Sequence, residues 1–185
     1  KYMNALEDYI VANPYQPTKE EKAAINKLEK SGLVAGDWDS TNDAISAFKD
    51  NLRTHMYHQQ NRRCVYCRMR VSMATEFLHR EHIVPKSPHP QWMFLPKNLC
   101  VACQKCNTYK SDKETLMDPN TVNYPNHSDG FKIIHPFFDK YSDLPADQLP
   151  TDTSLRKAYA EWLKGGNKGG SGSGVIVFDG EKILR

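Results

Sequence analysis

The chain has 185 residues, of which 39% are hydrophobic and 25% charged, with a formal net charge of +3. That length fits one domain or one domain with a small appendage, the composition excludes wholesale disorder, and no apolar run reaches the ~18 residues that a membrane span needs. The opening stretch KYMNALEDYI has no signal-peptide core and does not begin with Met, so the chain reads as trimmed and a cytoplasmic, reducing location is expected.

In chain order, residues 4–12 predict a short helix that Asn13-Pro14 stops. A second helix is expected from Thr18, with Glu20 and Glu21 in its first turn, Lys27 and Lys30 near its end, and Gly32 as its C-cap. A third starts near Ser40 or Thr41 and runs to about Asn61, because Ile45, Phe48, Leu52 and Met56 recur at helical intervals. These helices are expected to be scaffold. Beyond residue 113, Pro119, Pro125, Pro136, Pro145 and Pro150 predict loops wrapped over a core, anchored by Phe131, Ile133, Ile134, Phe137, Phe138 and Tyr141. Residues 153–164 predict a last helix. Residues 165–174, GGNKGGSGSG, have the composition of a flexible linker. The Asp-Gly between apolar runs in residues 175–185 predicts a hairpin, either natural or a fused segment of this protein or of a partner.

The charge is segregated. Residues 1–50 carry 6 Lys/Arg and 9 Asp/Glu, residues 51–113 carry 11 and 3, and residues 114–185 carry 8 and 10. A basic middle segment is the footprint expected for a polyphosphate partner. A solvated surface without a partner accounts for the charge equally well.

The same segment holds all five cysteines. Cys64 and Cys67 form one Cys-x-x-Cys pair, Cys103 and Cys106 another, with 35 residues between them. In a reducing compartment two such pairs predict a four-thiolate structural Zn²⁺ site rather than disulfides. Cys100 sits in an apolar run and reads as a small buried hydrophobe.

Between the pairs lies His79-Arg80-Glu81-His82-Ile83-Val84-Pro85. Asn98-Leu99 follows, then Cys103-Gln104-Lys105-Cys106-Asn107 with Lys110 and Lys113 behind it. Over residues 64–113 the chain resembles the HNH endonuclease family. The resemblance implies an α+β, mostly helical protein with a ββα-metal (HNH) nuclease core stapled by a Cys₄ zinc site and preceded by N-terminal helices. The expected divisions are an N-terminal helical region (1–63), the HNH core (64–113), a wrapping segment and helix (114–164), the linker (165–174) and the hairpin tail (175–185).

By the same resemblance His82 matches the general base, while Glu81 and Asn107 match the ligands of a catalytic Mg²⁺ or Mn²⁺. Asn98 matches the Asn that braces the loop between the strands, and Cys64, Cys67, Cys103 and Cys106 match the structural zinc ligands. Glu stands where Asp is commoner, and Asn107 where His is. Arg80, Lys105 and Lys110 are candidate phosphate contacts, and His79 is a candidate ligand or phosphate contact. His55, His58, His89, His127 and His135 are read as structural or surface groups, and Trp92, Met93 and Phe94 as packing.

Such a site suits phosphodiester hydrolysis: an imidazole can take a proton from water at neutral pH, and a hard cation can neutralise the leaving oxyanion. The expectation is therefore a nuclease acting on DNA, with no membrane partner. The chain also looks like the HNH proteins of bacterial anti-phage systems of Septu or retron-linked type, which implies an ATPase or other protein subunit as partner. The alternative is a non-catalytic zinc module that binds nucleic acid or protein.

Overall fold

The computed structural model describes residue 11 and residues 13–139. Apart from Val11, the predicted helix over 4–12 lies outside these residues. The helix over 153–164, the linker, the hairpin tail and Tyr141 lie outside them as well.

Helix α1 spans Lys19–Ser31. Thr18 caps it: its hydroxyl accepts from the Glu21 amide at 3.2 Å, and the Glu21 carboxylate accepts from the Thr18 amide at 2.9 Å. Such a reciprocal cap contributes about 1 kcal/mol. Glu21 is buried because its carboxylate also accepts from Tyr15 and from Asn51 of the next helix, each at 2.8 Å. The cap thus ties two helices together. Gly32 closes α1 with φ of +83°, a conformation that costs glycine little.

Helix α2 spans Asp43–Gln59, two or three residues inside the expected limits. Asn42 sets its start, because its side-chain oxygen takes the amides of Ala44 and Ile45 at 3.0 and 3.2 Å. At the far end the Gln60 amide is captured by another element. It donates to the Val101 carbonyl and accepts from the Val101 amide, both at 2.8 Å. Asn61 and Arg62 then take left-handed φ of 51° and 58° and turn the chain toward Cys64. Ile45, Phe48, Leu52 and Met56 form one wholly buried stripe. Truncating any of them to Ala should cost about 2–5 kcal/mol.

Strands β1 (Leu78–His82) and β2 (Leu99–Cys103) pair antiparallel, with Leu78 opposite Cys103 and His82 opposite Leu99. Helix α3 (Gln104–Lys110) follows β2 directly. A two-stranded ribbon is marginal alone. Here it lies among helices, with contacts from both α2 and α3. The apolar run of β2 is buried from Leu99 to Ala102. Cys100 is buried with it, as its reading as a small hydrophobe required.

Residues 83–98 join the strands through two short 3-10 turns, Pro90–Trp92 and Pro96–Asn98. Trp92, Met93 and Phe94 are buried in this loop and pack into the core. Past α3 the chain wraps over the hairpin through irregular segments. Leu116 bridges to Phe131, and Phe131, Ile133 and Ile134 are buried, with Phe137 and Phe138 partly so. The observed class is a small α+β fold, and among the described residues its hydrophobic cluster runs from Val11 to Ile133. Among the described residues no helix is long and apolar enough to cross a membrane.

Candidate functional site

The four paired cysteines converge. One sulfur from each of Cys64, Cys67, Cys103 and Cys106 lies within 4.8 Å of the others, with Cys67 and Cys103 sulfurs at 3.9 Å. The first pair sits on a tight turn in which the Arg68 amide donates to the Cys64 carbonyl and the Cys64 amide to the Met69 carbonyl, both at 3.0 Å. Arg68 takes a left-handed φ of 60° there. The second pair brackets the start of α3: Cys103 is its N-cap residue and Cys106 lies in its first turn.

The thiols contend for protons. Burial pushes Cys64 well above the ordinary thiol range, hydrogen bonds from the other three thiols pull Cys103 far below it, and the bond to Cys103 drives Cys106 up. A bound cation would resolve that contest. Four thiols converging without a disulfide are close enough to hold a structural metal such as zinc, whose tetrahedral Zn–S bonds of about 2.3 Å suit this spacing.

Beside the cysteine cluster, strand alternation sends β1 side chains two ways. His79 and Glu81 meet α3, whereas Arg80 and His82 meet α2 and the segment before it. Glu81 is 3% exposed. Its Oε1 accepts from the Tyr66 hydroxyl at 3.1 Å and pairs with the Lys110 ammonium at 2.8 Å. Burial raises Glu81 above the ordinary carboxylate range, and Lys110 and Tyr66 offset part of that. The Lys110 Nζ also donates to the His82 carbonyl at 2.7 Å. On the same face the Asn107 amide donates to His79 Nδ1 at 2.9 Å.

On the other face His82 is 8% exposed, and its Nε2 donates to the Met93 carbonyl at 3.1 Å. That bond places the proton on Nε2 and leaves Nδ1 as the basic nitrogen. The Trp38 ring packs edge-on against the imidazole at 4.4 Å. Burial pulls the His82 pKa down to about 3. The imidazole is therefore neutral at pH 7. Arg80 pairs with Asp50 of α2 at 2.8 Å. Lys105 is exposed on α3.

Asn98 is wholly buried and uses its amide fully. Its oxygen accepts from the Val84 amide at 2.7 Å and the Tyr124 hydroxyl at 3.2 Å, and its nitrogen donates to the carbonyls of Val84 and Trp92 at 3.0 and 3.1 Å. The two ends of the interstrand loop are stapled to each other by this one side chain. Behind it, Tyr124 bonds His135 Nε2 at 2.9 Å. His135 is fully buried, and His89 is buried, stacked on Trp92 and 2.7 Å from Glu114. His55 Nε2 reaches the Asn13 carbonyl at 2.7 Å, and His127 is exposed.

The fold thus gathers His79, Glu81, Asn107 and Lys110 on one side of β1, and puts Arg80 and His82 on the other. Sequence reasoning missed three partners of these groups. Tyr66 reaches Glu81 from inside the first Cys-x-x-Cys pair, and that position was a usable signal. Trp38 on His82 and Tyr124 on Asn98 come from distant segments with no local pattern to mark them.

No protein-family profile matches the chain. The chain is 26% identical over 121 residues to the Septu protein PtuB of Bacillus thuringiensis, covering 63% of this chain and 47% of that protein. It therefore spans about half the length of the curated relative it matches. No solved structure matches.

Proposed function

We propose that this chain is a metal-dependent HNH endonuclease that hydrolyses phosphodiester bonds of DNA, and that it serves as an effector subunit in bacterial anti-phage defence. One observation carries the chemistry. Glu81 and His82 end one strand as neighbours pointing to opposite faces, and the helix that follows the partner strand brings Asn107 to the Glu81 face. The similarity to the Septu protein PtuB supports the defence role and a partner subunit, an ATPase or another protein.

His82 Nδ1 takes the proton of the attacking water. Its neutral form at pH 7 and the Met93 carbonyl on Nε2 leave that nitrogen unprotonated. Asn98 holds the loop that supplies this carbonyl. On the opposite face the Glu81 carboxylate and the Asn107 amide offer oxygen donors of the kind that a hard divalent cation such as Mg²⁺ or Mn²⁺ takes, with His79 beside Asn107. Glu81 and Asn107 would hold it, and when bound it supplies neutralisation of the phosphate and of the departing 3′-oxygen. Lys105, exposed on α3, supplies positive charge toward the backbone, and Arg80 and Lys110 remain candidate phosphate contacts that the metal-free protein holds in pairs with Asp50 and Glu81. Products with 5′-phosphate and 3′-hydroxyl ends follow from the family resemblance.

A second reading has its own observation. Glu81 already carries Lys110 as a counter-ion, and His82 is buried beneath Trp38. Both fit a zinc module that binds without cutting. Supercoiled-plasmid nicking separates the two readings. Wild type should nick with Mg²⁺ and stop without it, and His82→Ala should lose at least about 100-fold in rate, with fold and zinc content intact. Glu81→Ala should lose activity that Mn²⁺ partly restores, whereas no metal restores His82→Ala. Undiminished nicking by His82→Ala would reject His82 as the base, and a zinc-loaded wild type that does not nick with Mg²⁺ would reject the nuclease assignment in favour of the binding module.

A further inference from the structure

Both side chains of the Lys110–Glu81 pair are buried, at 9% and 4% exposure. Lysine heads rarely enter a core unless something holds them. Here Nζ has three acceptors: Glu81 Oε1 at 2.8 Å, the His82 carbonyl at 2.7 Å and the Ser111 carbonyl at 3.4 Å. All three ammonium protons are therefore placed. Two of the acceptors belong to the neighbouring residues that the nuclease reading makes ligand and base. Lys110 ends α3, and Ser111 beyond it turns with φ of +50°. Lys110 is thus the last residue of the helix that carries Asn107, and its stem is a flexible four-carbon chain.

We infer that Lys110 is an internal counter-ion for Glu81 that a divalent cation must displace, so that the pair sets how tightly the metal binds. The inference rests on the nuclease reading of Glu81. An ammonium and a divalent cation on one buried carboxylate repel each other strongly, because little water screens them. Metal and Lys110 therefore compete for Glu81, whose Oε1 the ammonium already occupies. The lysine keeps a buried carboxylate satisfied in the metal-free protein, at the expense of metal affinity. On metal binding the ammonium leaves for solvent, where it becomes available to a substrate phosphate.

The test uses the full chain with its zinc in place, and Mn²⁺ as the probe. Binding is followed by the loss of the free-ion electron paramagnetic resonance signal. Sites at Glu81 are identified as those lost in Glu81→Gln. Lys110→Met and Lys110→Gln should each bind Mn²⁺ about tenfold or more tighter than wild type. A second measurement needs no variant: acetylation of Lys110 by acetic anhydride, read by mass spectrometry, should be slow without metal and rise severalfold at saturating Mg²⁺. Equal or weaker Mn²⁺ binding by folded Lys110 variants, or Lys110 acetylation that ignores Mg²⁺, would overturn the inference and leave the nuclease reading standing. Absence of any Glu81-dependent Mn²⁺ site in all variants, with nicking unaffected by Glu81→Gln, would remove both.

Discussion

His82 and His135 are both pulled from the ordinary 6.5 to about 3, in each case chiefly by burial. In the unfolded chain both would take up a proton near pH 6.5, whereas the folded protein refuses it. Stability is therefore full above pH 6.5 and is lost as the pH falls toward 3, at up to ~1.4 kcal/mol per pH unit for each ring. Glu81 works in the opposite sense. Its carboxyl is held above the ordinary range, so its contribution is present at low pH and lost as pH rises through the folded value. The expected outcome is a urea midpoint that drops clearly between pH 7 and pH 5. His135→Gln keeps a polar partner for Tyr124 without titrating, and should lessen the slope by about half. A pH dependence of the midpoint that is the same in wild type and in His135→Gln would show that this ring is not buried in solution.

At the scale of elements, the cysteine turn and the start of α3 are both too short to stand alone. Helix α3 has 7 residues, below the length at which helices persist in water. What holds it is a Cys residue at its cap, another one turn in, and the buried stem of Lys110. Tyr66 extends the same device, since the turn that presents Cys64 and Cys67 also presents the phenol that bonds Glu81. Zinc binding energy here is folding energy. Replacing Cys106 by Ser should therefore remove one equivalent of zinc and strip hydrogen-exchange protection from residues 64–113, while α1 and α2 stay protected. Purified protein without stoichiometric zinc, or unchanged protection in the variant, would contradict that account.

Across the whole molecule, the basic excess of residues 51–113 follows a first 50 residues that are net acidic in sequence. Part of the positive charge is consumed internally, by Arg80 on Asp50 and Lys110 on Glu81. The DNA affinity of the proposed nuclease should still fall steeply with salt, by about 0.9 in log K per log salt for each phosphate neutralised. Lys105→Glu should weaken binding and flatten that slope, because Lys105 is exposed on α3. Arg80→Glu should also lose the Asp50 pair, and so should cost some stability as well. A flat salt dependence would argue that the surface meets no polyphosphate.

The local signals were sufficient for what local physics governs. Thr18 with Glu21 marked a helix start, the Ile45–Phe48–Leu52–Met56 spacing marked its buried stripe, and the paired cysteines marked a convergent cluster. Each is decided within a few residues, or by a chemistry that admits few partners. The order of Glu81 and His82 along a strand was legible too, since period-two alternation needs only the strand. The tie that fixes the end of α2 was not, because the Gln60 side chain is taken by Val101, a backbone far along the chain. Nor was the state of the site. Whether Glu81 faces Lys110 or open water, and whether His82 lies under Trp38, depends on how α3 and the Ala35–Asp39 turn pack against β1. Burial and pairing of a charge are properties of the assembled surroundings, so the sequence named the groups, and only the tertiary structure decided their protonation and their partners.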